Sequence, residues 1–130
     1  MKVIQAVGKR KSAVARATIT NVPGVRVNSF MLETIQPEMY RQKMNEPIQI
    51  AGEIAAKIGL KVTVNGGGKN SQADAVRTAI ANALAQHDKR LHKIFLDYDR
   101  TLLVSDVRRK ETHKPNRHGK ARAKTQKSYR

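Results

Sequence analysis

The sequence predicts an α+β domain, a small sheet with helices packed on one face, followed by an extended basic tail. Residues 12–20 alternate between core-facing and outward-facing positions, which is the period of a half-buried strand. Apolar residues recur at helical spacing between Ala73 and Leu84. Residues 108–130 contain no Val, Ile, Leu, Met or Phe, so they cannot bury a core. Because strands and helices do not alternate strictly, α+β is favoured over a parallel α/β sheet.

The N-terminal half of the body consists mainly of predicted strands. These strands cover residues 2–7, 12–20 and 25–27. A basic turn at residues 8–11 joins the first two strands, and the turn residues Asn-Val-Pro-Gly at 21–24 precede the third. Short helical pieces follow over residues 30–44, with a break at Pro37.

The second half of the body is mainly helical. Pro47 suits the first turn of a helix that runs to about Lys57, and residues 60–64 form a β-branched strand. Ser71 and Asp74 resemble a capping box at the start of the next helix. A further helix is predicted over residues 89–98, and residues 102–104 form a last short strand.

Charge divides the chain into a body, residues 1–107, and a C-terminal arm, residues 108–130. The 130 residues include 26 Lys and Arg against 10 Asp and Glu, a net charge of +16. Such a chain needs a polyanion as its partner. The arm holds ten of the basic residues and one acid, and Pro115 and Gly119 interrupt any helix in it. Blocks of like charge at a chain end are typical of interaction arms.

Composition excludes several classes of protein. The chain has no Cys, which excludes a disulfide framework, a thiol nucleophile and a zinc–thiolate site. It has no signal peptide and no apolar run long enough to span a membrane, so we expect a cytoplasmic protein. Aromatic residues are scarce, which disfavours base stacking on a sheet and favours phosphate contacts.

The glycine run Gly66–Gly68 has two interpretations. It can be a tight turn that lets strand and helix pack closely, or a loop whose N–H groups cradle a phosphate with help from Lys69. It is neither a Walker A loop nor a GxGxxG motif. The four histidines form no metal-binding motif, and we expect Asp97 and Asp99 to be a surface pair at a helix end. No metal, cofactor or catalytic group is therefore predicted.

Basic clusters give the strongest functional signal. Lys9, Arg10 and Lys11 occupy the predicted hairpin turn, with Arg16 and Lys2 nearby, and form a compact patch on rigid backbone. This patch and the arm together predict a protein that binds nucleic acid through phosphate contacts.

Three sequence blocks carry a family resemblance. Gly-Lys-Arg-Lys-Ser-Ala-Val-Ala-Arg-Ala at 8–17 resembles the opening signature of the universal small-subunit ribosomal protein nine family. Gly66–Gly68 with Ser71, Gln72, Ala75 and Arg77 resemble the family's central signature. The arm resembles the family's C-terminus, with an archaeal-type Ser-Tyr-Arg ending. The family usually has a basic residue where this chain has Asn82.

The resemblance implies a ribosomal-protein two-layer fold in the head of the small subunit. Its implied partners are 16S-type rRNA, the anticodon stem-loop of peptidyl-site tRNA and other head proteins, with no enzymatic activity and no cofactor. The implied rRNA-binding residues are Lys9, Arg10, Lys11, Arg16, Gly66, Gly67, Gly68, Lys69, Arg108, Arg109, Lys110, Arg117, Lys120, Arg122 and Lys124. The implied tRNA-binding residues are Lys127, Ser128, Tyr129 and Arg130.

Two other classes of protein share some of these features. An architectural DNA-binding protein would have the same charge, but it usually needs an apolar wedge or a dimer interface. A small phosphotransferase would use the glycine loop, but it needs a nucleotide pocket and catalytic groups that the sequence does not reveal. A nucleotide-binding assay would distinguish the enzyme from the other two classes, and co-sedimentation with 30S particles would distinguish an rRNA-binding protein from a DNA-binding one.

Overall fold

In residues 3–129, which the computed structural model describes, five strands form one open sheet. The strands are β1 (Gln5–Arg10), β2 (Ala13–Thr20), β3 (Gly24–Val27), β4 (Phe30–Met31) and β5 (Gly59–Asn65). Their order across the sheet is β1-β2-β5-β3-β4. The β3–β5 pair is parallel, and the other pairs are antiparallel.

Helices cover one face of this sheet. They are α1 (Glu38–Ala51), α2 (Glu53–Lys57), α3 (Lys69–His87) and α4 (Lys89–Tyr98), with 3₁₀ turns at Leu32–Thr34 and Arg100–Leu102. One face of each long strand is buried beneath the helices, while the residues between are mostly exposed. The predicted α+β class, with helices on one face, is therefore confirmed.

Small residues let α3 lie directly on β1 and β2. Ala13, Ala15 and Ala17 of β2 are fully buried, as are most of the alanines of α3. Gly8 of β1 lies so close to α3 that an added Cβ would be 2.2 Å from the carbonyl oxygen of Ala75. Close packing of backbones therefore holds this half of the core, and Phe95, Leu91 and Leu102 are among its larger side chains.

The break predicted at Pro37 agrees with the structure, but the helix start predicted at Pro47 is misplaced. Pro47 does not begin a helix but lies buried inside α1, which starts at Glu38 after Pro37. Burial of Met44, Pro47 and Ala51 on one side of α1 offsets the hydrogen bond that proline lacks. The break comes instead at Gly52, where a φ of 59° favours glycine.

Three smaller predictions are also wrong. Strand β1 continues to Arg10, so the turn contains only Lys11 and Ser12. The helix α3 begins at Lys69 with Gly68 as its N-cap, so Ser71 lies inside the helix and no capping box forms. No strand forms at 102–104: a 3₁₀ turn at Arg100–Leu102, capped by the Asp99 carboxylate, which accepts a hydrogen bond from Thr101 N at 2.9 Å, is followed by irregular backbone.

The described part of the arm, residues 108–129, has no helix and one isolated β-bridge, between Arg117 and Lys124. The extended shape predicted for it is not confirmed, because Lys114 N donates to Lys120 O at 2.8 Å and His118 N to Ala123 O at 2.7 Å. The predicted roles of Lys2 and Arg130 lie outside the described residues.

Candidate nucleic-acid interface

The β1–β2 hairpin turn presents two of its three predicted cations to solvent. Lys11 occupies the turn with a φ of 51°, and both Lys9 and Lys11 are exposed. Arg10 faces the other way because alternation along β1 turns it toward the helices. The hairpin therefore offers two lysine ammonium groups to a ligand, one from β1 and one from the turn, and keeps the Arg10 guanidinium within the body.

The Arg10 guanidinium lies between two carboxylates. Its Nη1 is 3.2 Å from Asp106 Oδ2 and its Nε is 3.8 Å from Asp74 Oδ2 on α3, and the side chain is 18% exposed. The Nη1–Asp106 contact has the distance of an ion pair but not the angle of a hydrogen bond. Neither acidic partner is predictable from the sequence, because contacts between such distant positions leave no local pattern.

Asp106 also fixes the root of the arm. Arg108 donates to its carboxylate through Nη2 at 2.7 Å and Nε at 2.9 Å, and Arg108 N donates at 2.9 Å. These hydrogen bonds from Arg108, together with the nearby charge of Arg10, hold the pKa of Asp106 well below its usual range. Asp106 is therefore ionised at neutral pH and links the hairpin to the start of the arm.

The hairpin turn and the first residues of the arm line one groove. Its lining residues are Lys11, Ser12, Arg108, Arg109 and Lys110. Arg108, Arg109 and Lys110 are all exposed. Cations that the sequence places in separate clusters thus form one continuous basic surface.

The glycine loop lies against the hairpin turn. Gly66 and Gly67 have φ values of 79° and 66°, which L side chains rarely adopt, and an added Cβ at Gly66 would be 2.6 Å from Ser12 O. Gln72 Nε2 donates to Gly66 O at 3.0 Å. This geometry meets the requirements of a tight turn, and the exposed Gly68 and Lys69 follow it at the start of α3.

Further along the arm, cations crowd together. The close approach of Lys120, as a hydrogen-bond partner and as a like charge, lowers the pKa of Lys110. Arg122 pairs with Glu111 through Nε at 2.9 Å, while Lys124, Lys127, Ser128 and Tyr129 are exposed. Arg117 is half-buried beside the turn that folds residues 114–125 back on themselves. Most cations of the arm remain available to an anionic ligand.

Arg77, which belongs to the central signature, has a structural position between helices. Its Nε lies 2.6 Å from Glu46 Oε2 on α1, and its Nη2 lies 3.2 Å from Asp99 Oδ2 after α4. Partial burial acts to raise the pKa of Glu46, but hydrogen bonds from Arg77 and Tyr98 lower it overall. Asp99 is thus a capping and ion-pairing residue, whereas Asp97 lies exposed on α4.

Within residues 3–129, no cluster of three or more His, Asp or Glu side chains is arranged to hold a metal ion. None of the described helices is both long enough and apolar enough to cross a membrane. The candidate site is the basic surface formed by the hairpin, the glycine loop and the arm.

A protein-family model described as "Ribosomal protein S9/S16" matches residues 8–130, which include all three parts of this surface. The chain belongs to this family. Among curated relatives of the S9/S16 family, the small ribosomal subunit protein uS9 of Methanococcus vannielii is 49% identical and that of Methanococcus maripaludis 48%. Both alignments cover 100% of this chain and 100% of the relative. The predicted S9/S16 membership and its archaeal type are thus confirmed.

Proposed function

We propose that the protein is a structural component of the small ribosomal subunit in the cytoplasm, with no catalytic role. Its body and arm bind 16S-type rRNA in the head of the subunit, beside other head proteins. The observation that supports this function is the continuous basic groove formed by Lys11 and Arg108–Lys110. Family membership supports a place in the small subunit, because relatives that align over their full length are named as small-subunit proteins.

Phosphate contacts carry the binding in this proposal. The hairpin contributes Lys9, Lys11 and Arg16, the glycine loop contributes backbone N–H groups and Lys69, and the arm contributes its exposed cations. Arg10 takes part by positioning, since its charge is already shared between Asp74 and Asp106. The Arg10–Asp106–Arg108 contacts give the arm a defined starting direction.

The lysines of the hairpin provide the first test. Lys9→Ala/Lys11→Ala should make the log–log salt dependence of rRNA binding shallower by about 1.4–1.8 units, because each phosphate contact contributes about 0.7–0.9. Arg10 is left unchanged, since its removal would take an ion-pair partner from both Asp74 and Asp106. Filter binding to a transcript of the 3′ major rRNA domain over a salt series measures the slope.

The charge-matched control is Lys89→Ala/Lys93→Ala, which removes two exposed cations of α4. Its slope should stay closer to that of the unsubstituted chain. Equal slopes for both variants would mean that the hairpin turn faces solvent in the complex. Competition by duplex DNA as effective as that by rRNA would favour an architectural DNA-binding protein instead.

The end of the arm reaches peptidyl-site tRNA in this proposal. Ser128 and Tyr129 are exposed, so the end of the arm packs on nothing in the described body. The C-terminal Arg130 can neutralise one anticodon-loop phosphate through a charge-assisted hydrogen bond. Such a bond contributes about 1.5–3 kcal/mol, part of which other ribosomal contacts of the tRNA would mask.

Deleting residues 128–130 should weaken peptidyl-site tRNA binding several-fold and leave subunit assembly intact. Arg130→Lys should have a smaller effect than Arg130→Glu, because a phosphate contact depends on charge and not on base identity. Binding of two different tRNAs to purified subunits measures the effect, with assembly followed by sedimentation. If assembly collapses while tRNA affinity per intact subunit is unchanged, the last residues are rRNA anchors.

A further inference from the structure

The face of the sheet opposite the helices is uncovered and carries a line of cations. Lys9 on β1, Arg16 on β2, Lys61 on β5 and Arg26 on β3 all point to this open face and are exposed. We call these four residues the cationic stripe. Lys61 and Arg26 belong to none of the sequence blocks that carry the family resemblance.

The strand register makes the cationic stripe continuous. Arg16 is opposite Val7 and Thr63, so Lys9 and Lys61 are each its diagonal neighbours. Diagonal neighbours on a sheet are about 7–8 Å apart. Lys61 is directly opposite Arg26, on strands spaced about 4.8 Å apart. The stripe therefore crosses four adjacent strands without a gap.

No acidic side chain balances these charges on the sheet. The strands within the described residues contain no Asp or Glu. On the helix side, by contrast, four cations form ion pairs with carboxylates: Arg10, Arg41, Lys43 and Arg77. Across residues 3–129, no ion pair involves any member of the cationic stripe. Several cations on the helix side are thus paired within the protein, whereas the four of the cationic stripe are not.

The pairing of Lys61 with Arg26 is unfavourable in the free protein. Like charges directly opposite one another on neighbouring strands destabilise a sheet. Bound anions would reverse this repulsion, because each would attract both side chains at once. An open face with this arrangement is suited to a ligand that carries regularly spaced negative charges.

The chemistry of the rest of the face selects among polyanions. The residues between the cations are Gln5, Val7, Thr18, Thr63 and Asn65, so the face has no aromatic platform for stacked bases. None of these five residues is aromatic or Met, the types enriched in protein–protein interfaces, whereas Lys is depleted there. The one Met in register with the stripe, Met31 opposite Arg26, lies on the edge strand β4. These features favour the sugar–phosphate backbone of a folded RNA over single-stranded bases or an acidic protein.

We propose that the cationic stripe extends the rRNA-binding surface from the hairpin across the open face of the sheet, where it docks on the phosphate backbone on the side away from the helices. This inference rests on the proposed function and adds Lys61 and Arg26 as contact residues. The body would then be held by rRNA on its open face as well as at the hairpin turn and arm.

The test compares Arg26→Gln/Lys61→Gln with the charge-matched control Lys57→Gln/Lys89→Gln, whose lysines are exposed on α2 and α4. The probe is an in vitro transcript of the 3′ major domain of an archaeal 16S-type rRNA. The stripe variant should show a salt slope shallower by about 1.4–1.8 units, and the control a much smaller change. Arg26→Lys/Lys61→Arg, which keeps both charges, should retain the slope.

The unfolding midpoint of Arg26→Gln/Lys61→Gln should equal or exceed that of the unsubstituted chain, since the substitution removes a repulsive pair. If the unsubstituted chain binds the transcript and the stripe and control variants show equal slopes, the stripe proposal is overturned while the rRNA function stands. No binding by the unsubstituted chain overturns both. Loss of an acidic head protein from the stripe variant, with RNA affinity unchanged, would assign the face to a protein and also overturn the proposal.

A second measurement uses the absence of Cys from the chain. Thr63→Cys places a unique thiol on the open face, opposite Arg16, for attachment of an iron chelate that cleaves nearby RNA. We expect cleavage of the bound transcript from this position even if the double glutamine variant folds poorly. Absence of cleavage from position 63 in a bound complex would contradict docking of RNA on the open face.

Discussion

Gly8→Ala should lower the free energy of unfolding by about 3 kcal/mol or more, at or above the upper end of the usual cost of overpacking. The added Cβ would lie 2.2 Å from Ala75 O and 2.5 Å from Ala79 N. Both atoms belong to the backbone of α3, so no side chain can rotate to make room. The helix must therefore move off β1, and this separates the small residues that pack between them.

Gly68→Ala is the matched control for this substitution. Gly68 has a φ of −97° and open space around its Cβ position, and it serves as N-cap of α3. The control should cost less than about 1 kcal/mol, mainly through a poorer cap. Urea unfolding of both variants measures the difference. Similar midpoints for the two would mean that α3 does not rest directly on β1.

Truncation after Val107 should have the largest effect on rRNA binding. It removes ten of the 26 basic residues and only one acid. If about six of these cations contact phosphate, the salt slope becomes shallower by about 4–5 units, with a loss of affinity on the order of 10³-fold at moderate salt. The body should keep its unfolding midpoint, because residues 108–129 include no buried side chain.

A full-length chain with residues 108–130 in scrambled order is the control for this truncation. It has the same charge, so it should retain most of the salt slope but assemble poorly into subunits. Sedimentation of reconstituted subunits measures assembly, and a salt series with the rRNA transcript measures the slope. A truncated chain with an unchanged slope would exclude the arm from the rRNA interface.

The elements with a strong period were predictable from the sequence. Alternation in 12–20 identified β2, and the helical spacing between Ala73 and Leu84 identified α3, because each pattern spans enough residues to distinguish a period of 2 from 3.6. Pro47 misled the prediction because burial of one side of α1 is a tertiary effect. The short turn at 100–102 depends on one carboxylate cap, which carries no period.

The candidate site was predictable in composition but not in arrangement. The basic clusters are visible in the sequence, whereas the acids that turn Arg10 into an internal residue lie far away in the chain. Arg26 and Lys61 each look like isolated charges in short strands. Only the parallel pairing of β3 with β5 places them side by side.

The contacts of Arg10 and Arg108 with Asp106 have a consequence for the order of events during assembly. Once the body is docked, the arm starts from a fixed origin, and each further contact forms within one tethered complex. The effective concentration of a tethered group falls with roughly the −3/2 power of the length of chain that links it. Arg109 and Lys110 therefore engage first, and the far end of the arm engages last. The arm therefore binds progressively from its start at Arg108, and its final residues bind only after the earlier contacts have formed.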